Sequence, residues 1–346
     1  MPEPILFDDI GSYPLPDGES TEWIRKAFYE LNDTGTCQKL FGIISDAMRQ
    51  KIKAGVKVPT YPQFQEMNDQ FLNIITKEEG PEPFIVKEES ARIIELEAIE
   101  QVAKEHYDLT DERLKVRICV TGPVELHQKQ LGSTVFSDIL KNLATSVDRF
   151  IRNSIDGAKN FDIFTVSIDE PSIGINPELK VEENDLINAI ELASESAFKR
   201  GIDVEMHLHS SIWYKTMCQV NGVSVIGLES AANPSYLDLI EKKDLEDADK
   251  FLRVGVSRTD ISKMAADYDE KNKTDVWKDK NEIDKMIGAS ESPEIIKKRL
   301  QKAQKIFGDR IKYAGPDCGL GSWPSQRVAF LLLKNTGSGI LQGIQG

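Results

Sequence analysis

Two histidines separated by one residue, His207 and His209, end an apolar and strand-like run over residues 202–209. Side chains two residues apart on a β-strand point to the same face of a sheet, so the two imidazoles can reach one point in space. A single histidine near a strand end is more often a satisfied core or surface residue than a ligand. The pair uses two of only four histidines in the chain, and its spacing favours a metal site.

A carboxylate and a thiol occupy similar positions further along the chain. Glu229 follows the strand-like run 223–228, and Cys318 follows the run 311–314. Taken alone, a glutamate after a strand often caps a helix, and a cysteine is usually a small buried apolar residue. Cys318 stands in the loop sequence Asp-Cys-Gly-Leu, which favours a thiolate role. Two imidazoles, one carboxylate and one thiolate form a ligand set that zinc binds, so we predict zinc at His207, His209, Glu229 and Cys318.

Strand-like and helical patterns alternate along the chain. Eight strand-like runs are present, at residues 5–10, 56–61, 116–120, 163–168, 204–209, 223–228, 252–256 and 311–314. This alternation predicts a parallel sheet in an α/β fold, and eight repeats predict a closed (βα)8 TIM barrel. The alternative is an open doubly wound sheet, whose G-x-G-x-x-G signature is missing. We therefore expect one barrel over residues 1–346, with a charged surface excursion around residues 267–284 and a peripheral tail over residues 337–346.

Polar motifs follow most of the predicted strands. Besides the four predicted ligands they are Gly11-Ser12, Tyr61 with Glu66, Thr121-Gly122 and Asp169-Glu170. A TIM barrel carries its active site at the carboxyl ends of its strands, so these motifs are expected to converge on one mouth. A different interpretation of Asp169-Glu170 is a pair of acidic residues at the start of a helix.

Composition and charge exclude several classes of protein. A net charge of −14 argues against nucleic acid or an anionic membrane surface as the main partner. No apolar stretch is long enough to cross a bilayer, and the first residues lack the features of a signal peptide. The four cysteines show no paired spacing, which is typical of a reducing compartment. We expect a cytoplasmic enzyme that is neither a P-loop protein nor a G-x-S-x-G serine hydrolase.

The ordered set of motifs resembles a known family. The chain is similar to the catalytic, C-terminal barrel of cobalamin-independent methionine synthase, and most of all to short archaeal and bacterial homologues made of that barrel alone. The related uroporphyrinogen-decarboxylase-like barrels, which include corrinoid-to-thiol methyltransferases, are the next nearest group. The matching motifs run in the family's order from one end of the chain to the other and are DIGSYP (9–14), EMND (66–69), TGPV (121–124), IDEP (168–171), HLH (207–209), ES (229–230) and PDCGL (316–320).

The resemblance implies a reaction and assigns roles to residues. It implies methyl transfer to the homocysteine thiolate to make methionine, with zinc held by the four residues predicted above. It implies that Asp169 and Glu66 hold the substrate's amino group, and that backbone N–H groups at Ile10, Gly11 and Ser12 hold its carboxylate. The short homologues imply methylcobalamin or a methyl-corrinoid protein as the methyl donor. Two alternatives remain open: a methyltransferase that acts on another thiol such as coenzyme M, and a zinc-binding protein without catalysis.

One position departs from the family pattern. The family usually has cysteine where His209 stands, so the predicted zinc shell has one thiolate instead of two. A shell with less negative charge leaves zinc a stronger Lewis acid. We therefore expect a bound thiol to have a lower pKa, and its thiolate to be less nucleophilic, than with two cysteines.

Overall fold

The chain folds as an α/β protein, seen in a computed structural model that describes residues 4–78, 80 and 82–345. Seven strands occur among these residues: β1 (Leu6–Phe7), β2 (Leu114–Thr121), β3 (Phe161–Asp169), β4 (Asp203–Leu208), β5 (Val225–Leu228), β6 (Phe251–Ser257) and β7 (Ile311–Pro316). The α-helices are α1 (Thr21–Ala27), α2 (Thr34–Lys53), α3 (Met67–Lys77), α4 (Glu95–Thr110), α5 (Pro123–Leu131), α6 (Ser137–Gly157), α7 (Glu183–Lys199), α8 (Tyr214–Gln219), α9 (Ser235–Asp238), α10 (Lys242–Asp247), α11 (Ile261–Asn272), α12 (Lys280–Ser290), α13 (Pro293–Phe307) and α14 (Gln326–Gln345).

The strands follow the order β1-β7-β6-β5-β4-β3-β2 in one sheet. The pairings β1–β7, β2–β3, β3–β4 and β4–β5 are all parallel, as the alternating pattern predicts. One of the eight predicted strands is not formed as a strand in the described residues: the run 56–61 makes an isolated parallel bridge between Asp8 and Val58. Pro59, inside this run, has no backbone N–H to donate in the hydrogen bonds between neighbouring strands. Closure into an eight-stranded barrel over residues 1–346 stays a prediction.

Contacts divide the chain into two compact units, and the second comprises residues 65–228 and 236–252. Its strands β2 and β3 are buried along almost their whole length, and only Lys115 and Asp162 are exposed. Strands covered on both faces are typical of parallel sheets. Helices α6 and α7 pack against each other, and Asp148 accepts hydrogen bonds from the backbone N–H and hydroxyl of Ser196, both at 2.8 Å.

The first unit comprises residues 1–64, 229–235 and 253–346, of which the structure describes those from residue 4 to residue 345. Its α13 begins with a Ser292 cap and Pro293, and it ends before Gly308, whose φ is 57°. Residues 337–345 continue α14 to Gln345, and the expectation of a peripheral tail is wrong for Gly339, Ile340 and Gly343, which are buried. Gly339 lets α14 approach α13 closely, since a Cβ there would lie 2.7 Å from the Pro293 carbonyl oxygen.

The charged excursion predicted around residues 267–284 forms the end of α11 and the start of α12. Met286 and Ile287 of α12 are fully buried, and Asp284 forms an ion pair with Arg327 of α14 at 2.9 Å. The charge density thus belongs to the outer faces of two packed helices. Among the described residues, no helix combines the length and apolar character needed to cross a membrane.

Candidate metal centre

The two histidines lie where strand β4 ends. His207 belongs to β4 and is buried, with 2% of its surface exposed, while His209 follows the strand and is half-buried. Their ring centroids are 5.1 Å apart, and the ring planes meet at 72°. Strand alternation therefore places both imidazoles side by side, as the spacing predicts.

The predicted carboxylate and thiol ligands follow strands β5 and β7, and one side chain ties their two loops together. Asp317 comes directly before Cys318, and its carboxylate accepts hydrogen bonds from the backbone N–H groups of Ala231 at 2.8 Å and Ala232 at 2.7 Å. Burial raises the pKa of Asp317 to about 7, although these two donors act to lower it. The backbone that carries Glu229 is thus fixed relative to the backbone that carries Cys318.

The four predicted ligands form one group. Each offers one ligand atom, and these atoms all lie within 4.8 Å of one another in His207, His209, Glu229 and Cys318. Two imidazoles, a carboxylate and a thiolate fit zinc better than magnesium or calcium, which prefer oxygen ligands alone.

The predicted carboxylate-binding loop lies beside the loop that follows Cys318. Ile10 and Gly11 are buried, and the Ser12 carbonyl accepts a hydrogen bond from the backbone of Leu320 at 2.8 Å. The Ser12 hydroxyl accepts another from the Gly321 N–H at 3.2 Å. These two bonds hold Ser12 against the loop that follows Cys318.

Asp169 and Glu66, the predicted partners of an amino group, differ in their surroundings. Asp169 ends β3, is 9% exposed, and lies opposite His207 in the register of β3 and β4. Its carboxylate accepts a hydrogen bond from the Ser167 hydroxyl at 2.5 Å. Glu66 is exposed and caps helix α3 by accepting from the Asp69 N–H at 2.8 Å. Asp169 therefore adjoins the predicted metal ligands, whereas the described contacts of Glu66 explain a capping role.

Glu170 has a role that the sequence left open. Its carboxylate accepts hydrogen bonds from the backbone N–H groups of Val124 at 2.9 Å and Glu125 at 2.7 Å, at the start of α5. The interpretation of Asp169-Glu170 as an acidic pair at the start of a helix is wrong, because turns follow β3 and the next α-helix in the chain begins at Glu183. Glu170 instead caps α5, which follows the preceding strand β2. Burial raises the pKa of Glu170 to about 8, against the opposing effect of these donors. No local sequence signal links Glu170 to a helix 46 residues earlier.

Comparison with known proteins gives a fold and no family. No protein-family profile and no curated protein matches this chain. A B12-independent methionine synthase from Shewanella sp. W3-18-1, solved in complex with selenomethionine, is 14% identical, with a TM-score of 0.61 over 98% of both chains. A candidate vitamin-B12 independent methionine synthase from Listeria monocytogenes is 15% identical, with a TM-score of 0.56 over 99% of this chain and 98% of that one.

A methyltransferase from Methanosarcina mazei is also similar. It is 10% identical, and the TM-score is 0.55 over 99% of this chain and 94% of that chain. At such identities the three likenesses establish the fold alone. They agree with the α/β architecture that the alternating strands and helices predict.

Proposed function

We propose that this chain is a zinc-dependent methyltransferase that makes methionine by methyl transfer to the homocysteine thiolate. The observation that carries the proposal is the group of His207, His209, Glu229 and Cys318, whose ligand atoms lie within 4.8 Å of one another. A fold similar to that of a methionine synthase solved with selenomethionine supports the same reaction, since selenomethionine is the selenium analogue of the product.

The roles of the residues follow from their chemistry. His207, His209, Glu229 and Cys318 would hold the metal. A bound zinc ion lowers the pKa of a thiol from about 8.5 and so supplies a thiolate at neutral pH. The Asp169 carboxylate binds the substrate's ammonium group by charge, and Glu66 is proposed to assist it. Backbone N–H groups at Ile10, Gly11 and Ser12 bind the substrate's carboxylate.

Holding the ammonium and carboxylate groups on the substrate's α-carbon restricts where its sulfur can lie, which lowers the entropic part of the barrier. The sulfur lone pair forms the new S–CH3 bond, and the bonding pair of the old methyl bond leaves with the donor. We propose methylcobalamin or a methyl-corrinoid protein as that donor.

The test measures metal content and activity together. Zinc per chain is determined by elemental analysis, and homocysteine methylation is assayed with methylcobalamin and methyltetrahydrofolate in parallel. Removal of zinc with a chelator, or the substitution Cys318→Ser, should abolish methyl transfer. Cys37→Ser is the matched control and should leave both readouts unchanged, since Cys37 lies on α2. Full activity in a folded, zinc-free protein would refute the proposal.

Two further measurements separate the alternatives. Coenzyme M is tested as acceptor beside homocysteine, and preferential methylation of coenzyme M would assign a different thiol substrate. Zinc binding without binding of either thiol would indicate a non-catalytic protein. A His209→Cys variant tested with both donors shows whether the second histidine determines donor choice.

A further inference from the structure

A carboxylate lies buried on the strand that carries His207 and leads to His209. Glu205 is two residues before His207 on β4 and has no exposed surface. Alternation along the strand places Glu205, His207 and His209 on one face. Burying a charged carboxylate costs free energy unless the carboxylate is paired and hydrogen-bonded. The partners of Glu205 therefore explain how the fold tolerates it.

The partner of Glu205 comes from a strand two places away in the sheet. Arg117 of β2, also without exposed surface, donates to the two oxygens of Glu205 at 2.5 Å and 2.9 Å. Arg117 lies opposite Thr165 of β3, and Thr165 lies opposite Asp203 of β4, so the arginine side chain passes over β3 to reach β4. A two-bond arginine–carboxylate pair fixes the plane of the carboxylate as well as its position.

Gly227 on β5 makes room for this carboxylate. It pairs with His207 in the register of β4 and β5, and a Cβ at Gly227 would lie 2.3 Å from Oε1 of Glu205. The same oxygen is 4.0 Å from Nδ1 of His207. Arg117 therefore fixes the Glu205 carboxylate, and the missing side chain of Gly227 leaves space for it. The carboxylate lies next to one ring nitrogen of His207.

We propose that Glu205 is a positioning residue for the metal centre, which acts by accepting a hydrogen bond from Nδ1–H of His207. A modest rotation of the ring would bring the 4.0 Å separation to hydrogen-bond distance. The bond would fix the tautomer of His207 and leave Nε2 as the metal ligand. Histidines that bind metals commonly donate their other N–H to a carboxylate in this way. The inference rests on the proposed zinc site.

A purely structural role for the Arg117–Glu205 pair makes a different prediction. In that case the pair only joins β2 to β4, and a well-folded chain without it would bind metal normally. Removing one partner alone leaves an uncompensated buried charge and can unfold the chain. The test therefore uses double substitutions, which remove both charges together.

Two double variants and one control separate the roles. R117M/E205L removes every side-chain acceptor at position 205, whereas R117M/E205Q keeps an amide oxygen there. The control is R299M/E291L, which removes another largely buried ion pair, Arg299 with Glu291 at 2.5 Å. Zinc affinity is measured by competition with a chromophoric chelator, and the visible spectrum of the cobalt-substituted protein reports ligand geometry. Urea midpoints confirm that each variant is folded.

R117M/E205L is expected to bind zinc about 10–100-fold more weakly than the unmodified chain and to show an altered cobalt spectrum. R117M/E205Q should recover part of the affinity, and the control should bind as the unmodified chain does. A folded R117M/E205L protein with unchanged zinc affinity would overturn the role of Glu205 and leave the proposed function intact. An unmodified chain that binds no zinc would overturn both.

Discussion

The Asp317 carboxylate holds the backbone of Ala231 through a hydrogen bond of 2.8 Å, and its second oxygen binds the next N–H along the chain. Asp317 comes directly before Cys318, and Ala231 lies two residues after Glu229. One side chain thus sets the spacing between two proposed metal ligands, although it is not proposed to touch the metal.

Asp317→Ala should destabilise the chain by about 2–6 kcal/mol, because it leaves two N–H groups without their acceptor at roughly 1–3 kcal/mol each. It should also weaken zinc binding, because the Glu229 and Cys318 loops are no longer joined. Urea unfolding and chelator competition measure the two effects. Asp247→Ala, at an exposed position, is the control and should change stability by less than about 0.5 kcal/mol. Equal urea midpoints for the two variants would contradict the role of Asp317.

Gly122→Ala should destabilise the chain by about 1–3 kcal/mol. A Cβ at Gly122 would lie 2.2 Å from Oε1 of Glu170, so the carboxylate that caps α5 must move. Asp169, the neighbour of Glu170, should then bind the substrate's ammonium group less well, which a homocysteine binding isotherm would detect. Gly157→Ala provides the control, since a Cβ there meets no atom within 4 Å. The prediction fails if both alanine variants retain the same stability and affinity.

Glu95→Gln should reduce the loss of stability as pH rises. Burial raises the pKa of Glu95 to about 7 from 4.5, so the folded state binds this proton more tightly than the unfolded state does. The free energy of unfolding therefore falls as pH rises from about 4.5 to about 7, by up to about 3 kcal/mol at 1.36 kcal/mol per pKa unit. Below this range the penalty is absent, and above it the penalty is complete.

Urea midpoints at pH 5 and pH 8 measure this effect for the Glu95→Gln variant and the unmodified chain. The variant should lose clearly less stability between the two pH values, because its side chain cannot ionise. Glu270→Gln, at an exposed position on α11, should behave like the unmodified chain. If the Glu95 and Glu270 variants show the same pH dependence, Glu95 does not carry the effect.

Gly339→Ala should also destabilise the chain, by about 1–3 kcal/mol. The new Cβ would lie 2.7 Å from the Pro293 carbonyl and 2.7 Å from Cβ of Ile296, so α14 would have to move away from α13. Gly288→Ala, on α12, is the matched control because its Cβ meets nothing within 4 Å. It should be neutral or stabilising, since alanine favours a helix by up to about 1 kcal/mol over glycine. If the thermal unfolding midpoints of the Gly339→Ala and Gly288→Ala variants moved in the same direction, close packing of α14 against α13 at Gly339 would be contradicted.

The features that sequence predicts here are those with a local signal. The apolar run before His207 and His209 identifies a strand, and the two-residue spacing places both rings on one face. The positions of Glu229 and Cys318 at strand ends follow from the same kind of pattern. For these reasons the α/β class was predictable from the sequence, whereas metal binding by these four residues stays a prediction.

Contacts between distant parts of the chain have no such signal. The bonds from Glu170 to α5 and from Asp317 to Ala231 join residues 46 and 86 positions apart. The helical state of residues 337–345 depends on packing against α13, which overrides the low helix propensity of glycine. The run 56–61 carries strand-like residues, but Pro59 and the two-residue length of β1 limit its pairing to a bridge.

The Arg117–Glu205 pair constrains how this sequence can change over time. Loss of either partner alone would leave a buried charge, at a cost of about 3–5 kcal/mol, which is a large share of the stability of an ordinary domain. The two positions are 88 residues apart, yet they are expected to be inherited or lost together. Joint presence of this arginine and this glutamate would therefore serve as a search criterion for distant relatives that share the two-histidine strand.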